Sequence, residues 1–113
     1  MSASMSMSDL HHFCSTGNLD KVIQYHEAGF VFDSMCMDLA ASKGHLGVVQ
    51  WLHEYRTEGC TTYAMDWSIV HRRFKMIQWL HENRTEGCTY IAINYAQAYG
   101  YDHIVDYLTQ VGY

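Results

Sequence analysis

The stretch from Trp51 to Cys60, WLHEYRTEGC, returns almost unchanged at residues 79–88 as WLHENRTEGC. The two copies lie 28 residues apart, and only Tyr55 and Asn83 differ between them. A period of 28 residues is too short for a folded domain and too long for a coiled-coil heptad. It suits a supersecondary unit that stacks on copies of itself. The repetition therefore predicts an array of short structural repeats.

Weaker copies of the unit flank the two close ones. CSTGNLDKVIQYHEAG precedes them at residues 14–29, and QAYGYDHIVDYLTQ follows at residues 97–110. When the four copies are aligned, one turn position is occupied in order by Gly17, Gly44, Arg72 and Gly100. The alignment predicts a flexible leader over residues 1–7 and a single repeat domain over residues 8–113. The predicted repeats cover approximately residues 8–33, 34–61, 62–89 and 90–113.

Each unit has the hydrophobic periodicity of two helices joined at the turn position. Residues five and eight places after the turn are apolar or aromatic in all four units, as one face of a helix requires. These are Val22, Val49, Ile77 and Val105, followed by Tyr25, Leu52, Leu80 and Leu108. In the helix before the turn, an apolar position holds Leu10, Met37, Met65 and Ile93, and a mostly small one holds Phe13, Ala40, Ser68 and Ala96. Small residues at this place predict close packing between the first helices of neighbouring repeats.

The helix ends carry local signals as well. Ser8, Ser34 and Thr62 stand where helix N-caps are expected. Gly44 and Gly100 suit a turn that needs a positive φ. Arg72 occupies the same position, where a left-handed conformation costs about 1 kcal/mol relative to Gly. We therefore expect a local irregularity at Arg72 and Arg73.

Composition and charge exclude several classes of function. The chain has 113 residues, of which 49% are hydrophobic, so it is too apolar to be disordered. Seven basic side chains face twelve acidic ones, a net charge of −5 that predicts no nucleic-acid partner. No apolar run is long enough to span a membrane. The polar start MSASMSMS lacks the features of a signal peptide, so we expect a cytoplasmic or nuclear protein with reduced cysteines.

The four units resemble ankyrin repeats. LAASKGHLGVVQWL at residues 39–52 is similar to the family pattern LAAxxGHxxVVxxLL, and GNLDKVIQYHEAG at residues 17–29 is a second, weaker match. The WLHENRTEGCT text is similar to long-loop ankyrin repeats of some microbial eukaryotes. The resemblance covers approximately residues 8–112. It implies an all-α, ankyrin-type solenoid of four stacked helix-turn-helix repeats with irregular capping repeats.

The chain also departs from the ankyrin pattern. The TPLH helix start is absent, there is no proline, and RTEGCT lengthens the connection between repeats, so we expect a plain loop instead of a β-hairpin. Polar residues mark the end units, where a cap needs a wettable outer face. These residues are His11 and Lys21 in the first unit and Asp102 and Asp106 in the last.

Histidine and cysteine recur at equivalent positions, which raises the question of a metal or redox site. His53 and His81 form one ladder, and Cys60 and Cys88 form another, in loops where a free thiol could be reactive. Stacked helices lie about 8–10 Å apart, whereas ligands of one zinc ion lie about 4 Å apart. We therefore expect no metal and no cofactor. A metal- or redox-responsive binding protein that uses these ladders remains the alternative.

No signature of an enzyme active site is present, so we expect a non-catalytic protein. The resemblance implies protein–protein interaction through the concave face and the inter-repeat loops of a monomer acting as an adaptor or scaffold. Carried over by position, the expected contact residues are the ends of the first helices and the adjoining loops. They are Ser42, Lys43, Thr61, Thr62, Val70, His71, Arg72, Thr89, Tyr90, Ala98 and Tyr99.

Overall fold

The computed structural model describes residues 5–113, which form eight α-helices in four antiparallel pairs and no β-strand. The fold is therefore the predicted all-α helical repeat, and plain loops connect the repeats. The pairs are stacked into an elongated body of 52 × 22 × 18 Å. The helices are α1 (Met7–Thr16), α2 (Leu19–Glu27), α3 (Ser34–Ser42), α4 (Leu46–Tyr55), α5 (Thr62–Val70), α6 (Phe74–Asn83), α7 (Tyr90–Ala98) and α8 (Asp102–Gln110).

The core follows the predicted columns, because each helix turns its apolar stripe towards its partner and the next repeat. Val22, Val49 and Ile77 are fully buried on the second helices, and Leu52, Leu80 and Leu108 follow one helical step later. The small residues Ala40, Ser68 and Ala96 are fully buried on the first helices. The Ser68 hydroxyl donates to the Ala64 carbonyl at 2.6 Å, which satisfies the one polar side chain in this layer.

The first helices pack more closely together than the second helices do. Helices α1, α3, α5 and α7 pack directly against one another, with Cα atoms within 8 Å. Within residues 5–113, successive second helices make no comparable backbone contact. Alanine and serine at the first-helix contacts allow this close approach, whereas valine, isoleucine and leucine hold the second helices further apart. The first helices therefore line the concave side of the array.

Arg72 adopts the left-handed conformation that its position requires, with φ of 59°, beside values of 76°, 82° and 73° at Gly17, Gly44 and Gly100. The expected irregularity at this turn was wrong. The Arg72 amide donates to the Ile69 carbonyl at 3.0 Å and the Arg73 amide to the Ser68 carbonyl at 2.8 Å. The corresponding bonds at the Gly44 turn measure 3.0 and 2.9 Å, so the two turns are alike.

A side chain from the next repeat lies against each of the first three turns, and the contact at the third explains why arginine is tolerated there. His45 lies over Gly17 and Arg73 over Gly44, so closely that a Cβ at either glycine would meet it. At the third turn, the side chain of the turn residue itself covers the next repeat. The guanidinium of Arg72 lies over the ring of Tyr101, 4.9 Å from its centroid. This cation–π contact, worth about 0.5–1 kcal/mol, offsets much of the backbone strain.

The two effects at Arg72 can be separated by substitution. Arg72→Ala keeps the left-handed strain but loses the contact with Tyr101, so we expect a loss of about 0.5–1 kcal/mol in the free energy of unfolding. Arg72→Gly loses both, so its stability should stay within about 0.5 kcal/mol of the wild type. Urea unfolding followed by circular dichroism would measure both changes. A glycine variant no more stable than the alanine variant would contradict this account.

The helix starts differ from the prediction by one or two residues. Ser6, Asp33 and Thr61 are the N-caps, where Ser8, Ser34 and Thr62 were predicted, and these three lie inside their helices. Helix α1 begins at Met7, so the predicted leader 1–7 is too long at its C-terminal end; its first four residues lie outside the described part. Thr61 caps α5 because its hydroxyl accepts from the Tyr63 amide at 3.1 Å.

The repeated WLHE–RTEGC text contacts the preceding repeat. Arg84 forms an ion pair with Glu86 at 2.7 Å, and its Nη1 donates to Nδ1 of His53 at 3.2 Å. The His53 ring packs edge-on against Trp79, with centroids 5.2 Å apart. One repeat earlier, the same contacts join Arg56 to Glu58, at 2.7 Å, and to His26, at 3.2 Å. The shared text therefore encodes an interface between repeats.

A second contact recurs beside it. Asp38 accepts from the amide of Thr61 at 2.8 Å and from its hydroxyl at 2.7 Å. Asp66 accepts in the same way from Thr89 at 2.7 and 2.8 Å. Each aspartate thus joins the first helix of one repeat to the start of the first helix of the next repeat. We call this the Asp–Thr tie.

Candidate functional site

Large apolar side chains are exposed along the first helices. Met35 is 49% exposed on α3, Tyr63 and Trp67 are 61% and 43% exposed on α5, and Ile91 is 67% exposed on α7. On the second helices of residues 5–113, Tyr55 is the one large apolar side chain of this exposure. The concave side is therefore far more apolar at its surface than the opposite side.

These side chains line a continuous groove, the first-helix groove. Its larger part, of about 670 Å³, lies between α5 and α7, and its smaller part, of about 450 Å³, lies between α3 and α5. Tyr63 and Trp67 belong to both parts. The larger part is completed by Thr62, Asp66, Val70, Thr89, Ile91, Ala92 and Tyr95. The smaller part is completed by Met35, Asp38, Leu39, Ser42, Lys43 and His71.

The helical period explains how one short helix can turn one face towards the core and another towards the groove. On α5, Ala64, Met65, Ser68 and Ile69 are buried towards the neighbouring helices. Tyr63, Trp67 and Val70 follow at steps of four and three on the other face. Equivalent positions hold Met35, Leu39 and Ser42 on α3 and Ile91, Tyr95 and Ala98 on α7.

Six of the residues predicted to contact a partner line the groove: Ser42, Lys43, Thr62, Val70, His71 and Thr89. Thr61 lies outside it, bound to Asp38. Arg72 lies at the turn, beside Phe74 and Lys75. Tyr90 and Tyr99 are exposed near the two ends of α7, and Ala98 is exposed between them, all beyond the groove lining.

The most exposed groove residues are absent from the prediction. Positions carried over from the ankyrin family favour the ends of the first helices, whereas Met35, Tyr63 and Ile91 stand at their beginnings. The signal that could have found them is a second apolar stripe: these helices are apolar on two faces, although only one can face the core. Such an unused stripe predicts an exposed apolar surface.

Charge is concentrated at the floor and at one end of the groove. Asp38 and Asp66 lie at the floor, and burial raises the pKa of Asp38 while the bonds from Thr61 oppose that rise. Lys43 and His71 lie at one end, where the His71 ring stacks on Trp67 with centroids 5.7 Å apart. The aspartates are engaged by threonine, so the free surface of the groove is chiefly apolar.

The residues of the His and Cys ladders are engaged in other contacts or buried. His53 is held by Arg84, and His81 contacts the Tyr113 hydroxyl at 3.3 Å. Cys60 is buried, and burial raises its pKa to about 12. Burial also raises the pKa of Cys88, to about 11. A raised pKa keeps a thiol protonated and unreactive. These raised pKa values do not favour the alternative of a redox-responsive protein that uses the loop thiols.

Two further observations concern the class of protein. Within residues 5–113, no helix combines the length and hydropathy needed to cross a membrane. Residues 37–81 match the family model described as "Ankyrin repeats (many copies)". This part of the chain, which covers most of the second and third repeats, belongs to the ankyrin-repeat family. Ankyrin repeats generally mediate protein–protein interactions and are typically non-catalytic. Searches of curated proteins and of solved structures gave no significant match.

Proposed function

We propose that this ankyrin-repeat protein is a non-catalytic adaptor or scaffold that binds a protein partner in the first-helix groove and at the adjoining inter-repeat loops. The observation that carries the proposal is the row of exposed Met35, Tyr63, Trp67 and Ile91 on the concave side. Contiguous exposed apolar surface of this kind is rare on monomeric proteins outside interaction sites. Aromatic residues in particular supply binding energy at protein interfaces.

The chemistry of the groove favours a partner segment that presents apolar side chains. The lining offers aromatic rings on both sides of Trp67 and few free polar groups, because Thr61 and Thr89 engage Asp38 and Asp66. Lys43 and His71 stand at one end, where an acidic side chain of the partner would find a complementary charge. An apolar segment with an acidic residue at one end fits this arrangement best.

Two tyrosines provide a matched test of the binding face. Tyr63 is 61% exposed in the groove and Tyr55 is 56% exposed at the end of α4, outside it. We expect Tyr63→Ala to weaken capture of the partner from source-cell lysate by about tenfold or more, and Tyr55→Ala to leave it unchanged. Quantitative mass spectrometry of the captured proteins would measure both.

Both substitutions are at the surface, so circular dichroism should show the same helicity and melting temperature within a few degrees. A partner captured equally by Tyr63→Ala and lost with Tyr55→Ala would move the binding surface to the second helices. Equal capture by both variants would exclude the groove as the main site.

A further inference from the structure

The interface between the first and second repeats differs in composition from the two that follow. At the next two interfaces, the Asp–Thr tie joins Asp38 to Thr61 and Asp66 to Thr89. At the first interface, His11 occupies the aspartate position and Asp33 the threonine position. Three residues after each of those loop positions, Ala64 and Ala92 are replaced by Cys36. Two polar residues and one alanine have thus been replaced together by a histidine, a carboxylate and a thiol.

The three replacement side chains meet in space. Nε2 of His11 lies 2.9 Å from Oδ1 of Asp33 and 3.1 Å from Oδ2. Sγ of Cys36 donates to Oδ1 of Asp33 at 3.5 Å. The imidazole nitrogen, the carboxylate oxygen and the sulfur all lie within 4.8 Å of one another. In residues 5–113, no other group of three such side chains comes this close.

We propose that His11, Asp33 and Cys36 bind one Zn²⁺ ion at the first repeat interface. Zinc takes nitrogen, oxygen and sulfur ligands at about 2.0–2.3 Å in a tetrahedral arrangement, which separates its ligand atoms by about 3.3–3.8 Å. The 3.5 Å between sulfur and oxygen already matches this spacing, and the 2.9 Å between nitrogen and oxygen needs to widen by about half an ångström. Nitrogen, carboxylate and thiolate together select zinc over magnesium or calcium, which prefer oxygen alone.

The surroundings provide both rigidity and access. Cys36 is 1% exposed on α3, so its sulfur is fixed by packing. The side chains of His11 and Asp33 are 21% and 43% exposed, which leaves an open side through which an ion can enter. A water molecule on that side would be the fourth ligand of the tetrahedron. Cys14, also buried, is a neighbour of Cys36 in the core.

A metal here would join the two repeats whose interface lacks the Asp–Thr tie. The site takes one ligand from α1 and two from the start of α3, so the bound ion bridges them. Because the unfolded chain does not hold these ligands together, bound zinc would raise the melting temperature. This inference goes beyond the proposed function, since the site lies apart from the residues that line the first-helix groove.

The other repeats supply the substitutions for the test. Cys36→Ala and the triple variant His11→Asp, Asp33→Thr, Cys36→Ala install the residues found at the two other interfaces, so both are expected to fold. Cys88→Ala is the control, since it removes a thiol outside the site. The full chain, purified without a histidine tag and stripped of metal by a chelator, would be titrated with Zn²⁺ against a chromophoric competitor. Co²⁺ would report tetrahedral thiolate ligation by its absorption spectrum.

We expect one Zn²⁺ per chain for the wild type and Cys88→Ala, with a tetrahedral Co²⁺ spectrum and a melting temperature raised by several degrees. Cys36→Ala and the triple variant should bind at least 100-fold more weakly and show no zinc-dependent shift. Absence of binding by the wild type would overturn the proposal and leave these residues as a hydrogen-bonded cap. Binding that survives in Cys36→Ala would also overturn it.

Discussion

Replacing Leu80 by alanine should lower the free energy of unfolding by about 2–5 kcal/mol, the largest effect expected of any single truncation discussed here. Leu80 is 1% exposed on α6 and belongs to the column that faces the core in all four repeats. It borders Ala64 and Met65 of α5 and the loop at Gly87, so its removal leaves a cavity where α5, α6 and that loop meet. Urea unfolding followed by circular dichroism would measure the loss.

A leucine at the edge of the core provides the control. Leu46 begins α4 and is only half-buried, so Leu46→Ala should cost clearly less than Leu80→Ala. In a linear array, each repeat is stabilised mainly by its neighbours, and damage in the third repeat should therefore weaken the whole stack. Equal losses for the two variants would mean that the second-helix column does not form the main core.

Replacing Trp67 by alanine should weaken binding of the captured partner by about 30-fold or more, equivalent to about 2 kcal/mol. Trp67 stands at the centre of the first-helix groove and lines both of its parts. Tryptophan residues at the centre of an interface are the commonest sites of such large losses. Isothermal titration calorimetry with the purified partner would give the change in affinity.

The same substitution should affect folding little, because Trp67 is 43% exposed and its main intramolecular contact is the stack on His71. We expect a loss of stability of less than about 1 kcal/mol. Tyr55→Ala again serves as the control for an exposed aromatic outside the groove. Unchanged affinity in Trp67→Ala would remove the central contact from the proposed surface.

The sequence predicted the architecture well because the repeats constrain each other. An apolar position that recurs at Val22, Val49 and Ile77 is much stronger evidence of a buried face than any one of these residues alone. The same comparison with three glycines should have been followed at Arg72, where an irregularity was predicted and a regular left-handed turn is found. What a single sequence could not show was the ring of Tyr101 over that turn, because a contact between repeats appears only when they stack.

Helix starts were harder to predict, since neighbouring residues offer the same chemistry. Thr61 and Thr62 can both cap a helix, and only the position of Asp38 decides that Thr61 is the one tied to the preceding repeat. Ser6 and Ser8 present the same choice at α1. Such errors of one or two residues leave the fold unchanged, yet they decide which hydroxyl is bound and which is free.

The groove was only partly predictable for a different reason. Lys43 and His71 follow from the family's usual contact positions, whereas Met35 and Tyr63 lie about two turns earlier. An apolar residue on a helix is normally assigned to the core, and burial alone separates Met65, at 2% exposed, from Tyr63, at 61%. The His11, Asp33 and Cys36 cluster was missed because its members come from two helices, with Asp33 at the start of the second lying 22 residues after His11.

Site-specific photocrosslinking tests the proposed binding face most directly. A photoreactive phenylalanine analogue would be placed at Tyr63 or, in a second protein, at Tyr55, and each would be irradiated in extract from the source cells. The groove account predicts that the partner is covalently captured from position 63 and not from position 55. Capture of the same partner from position 55 alone would contradict it and place the interface on the second helices.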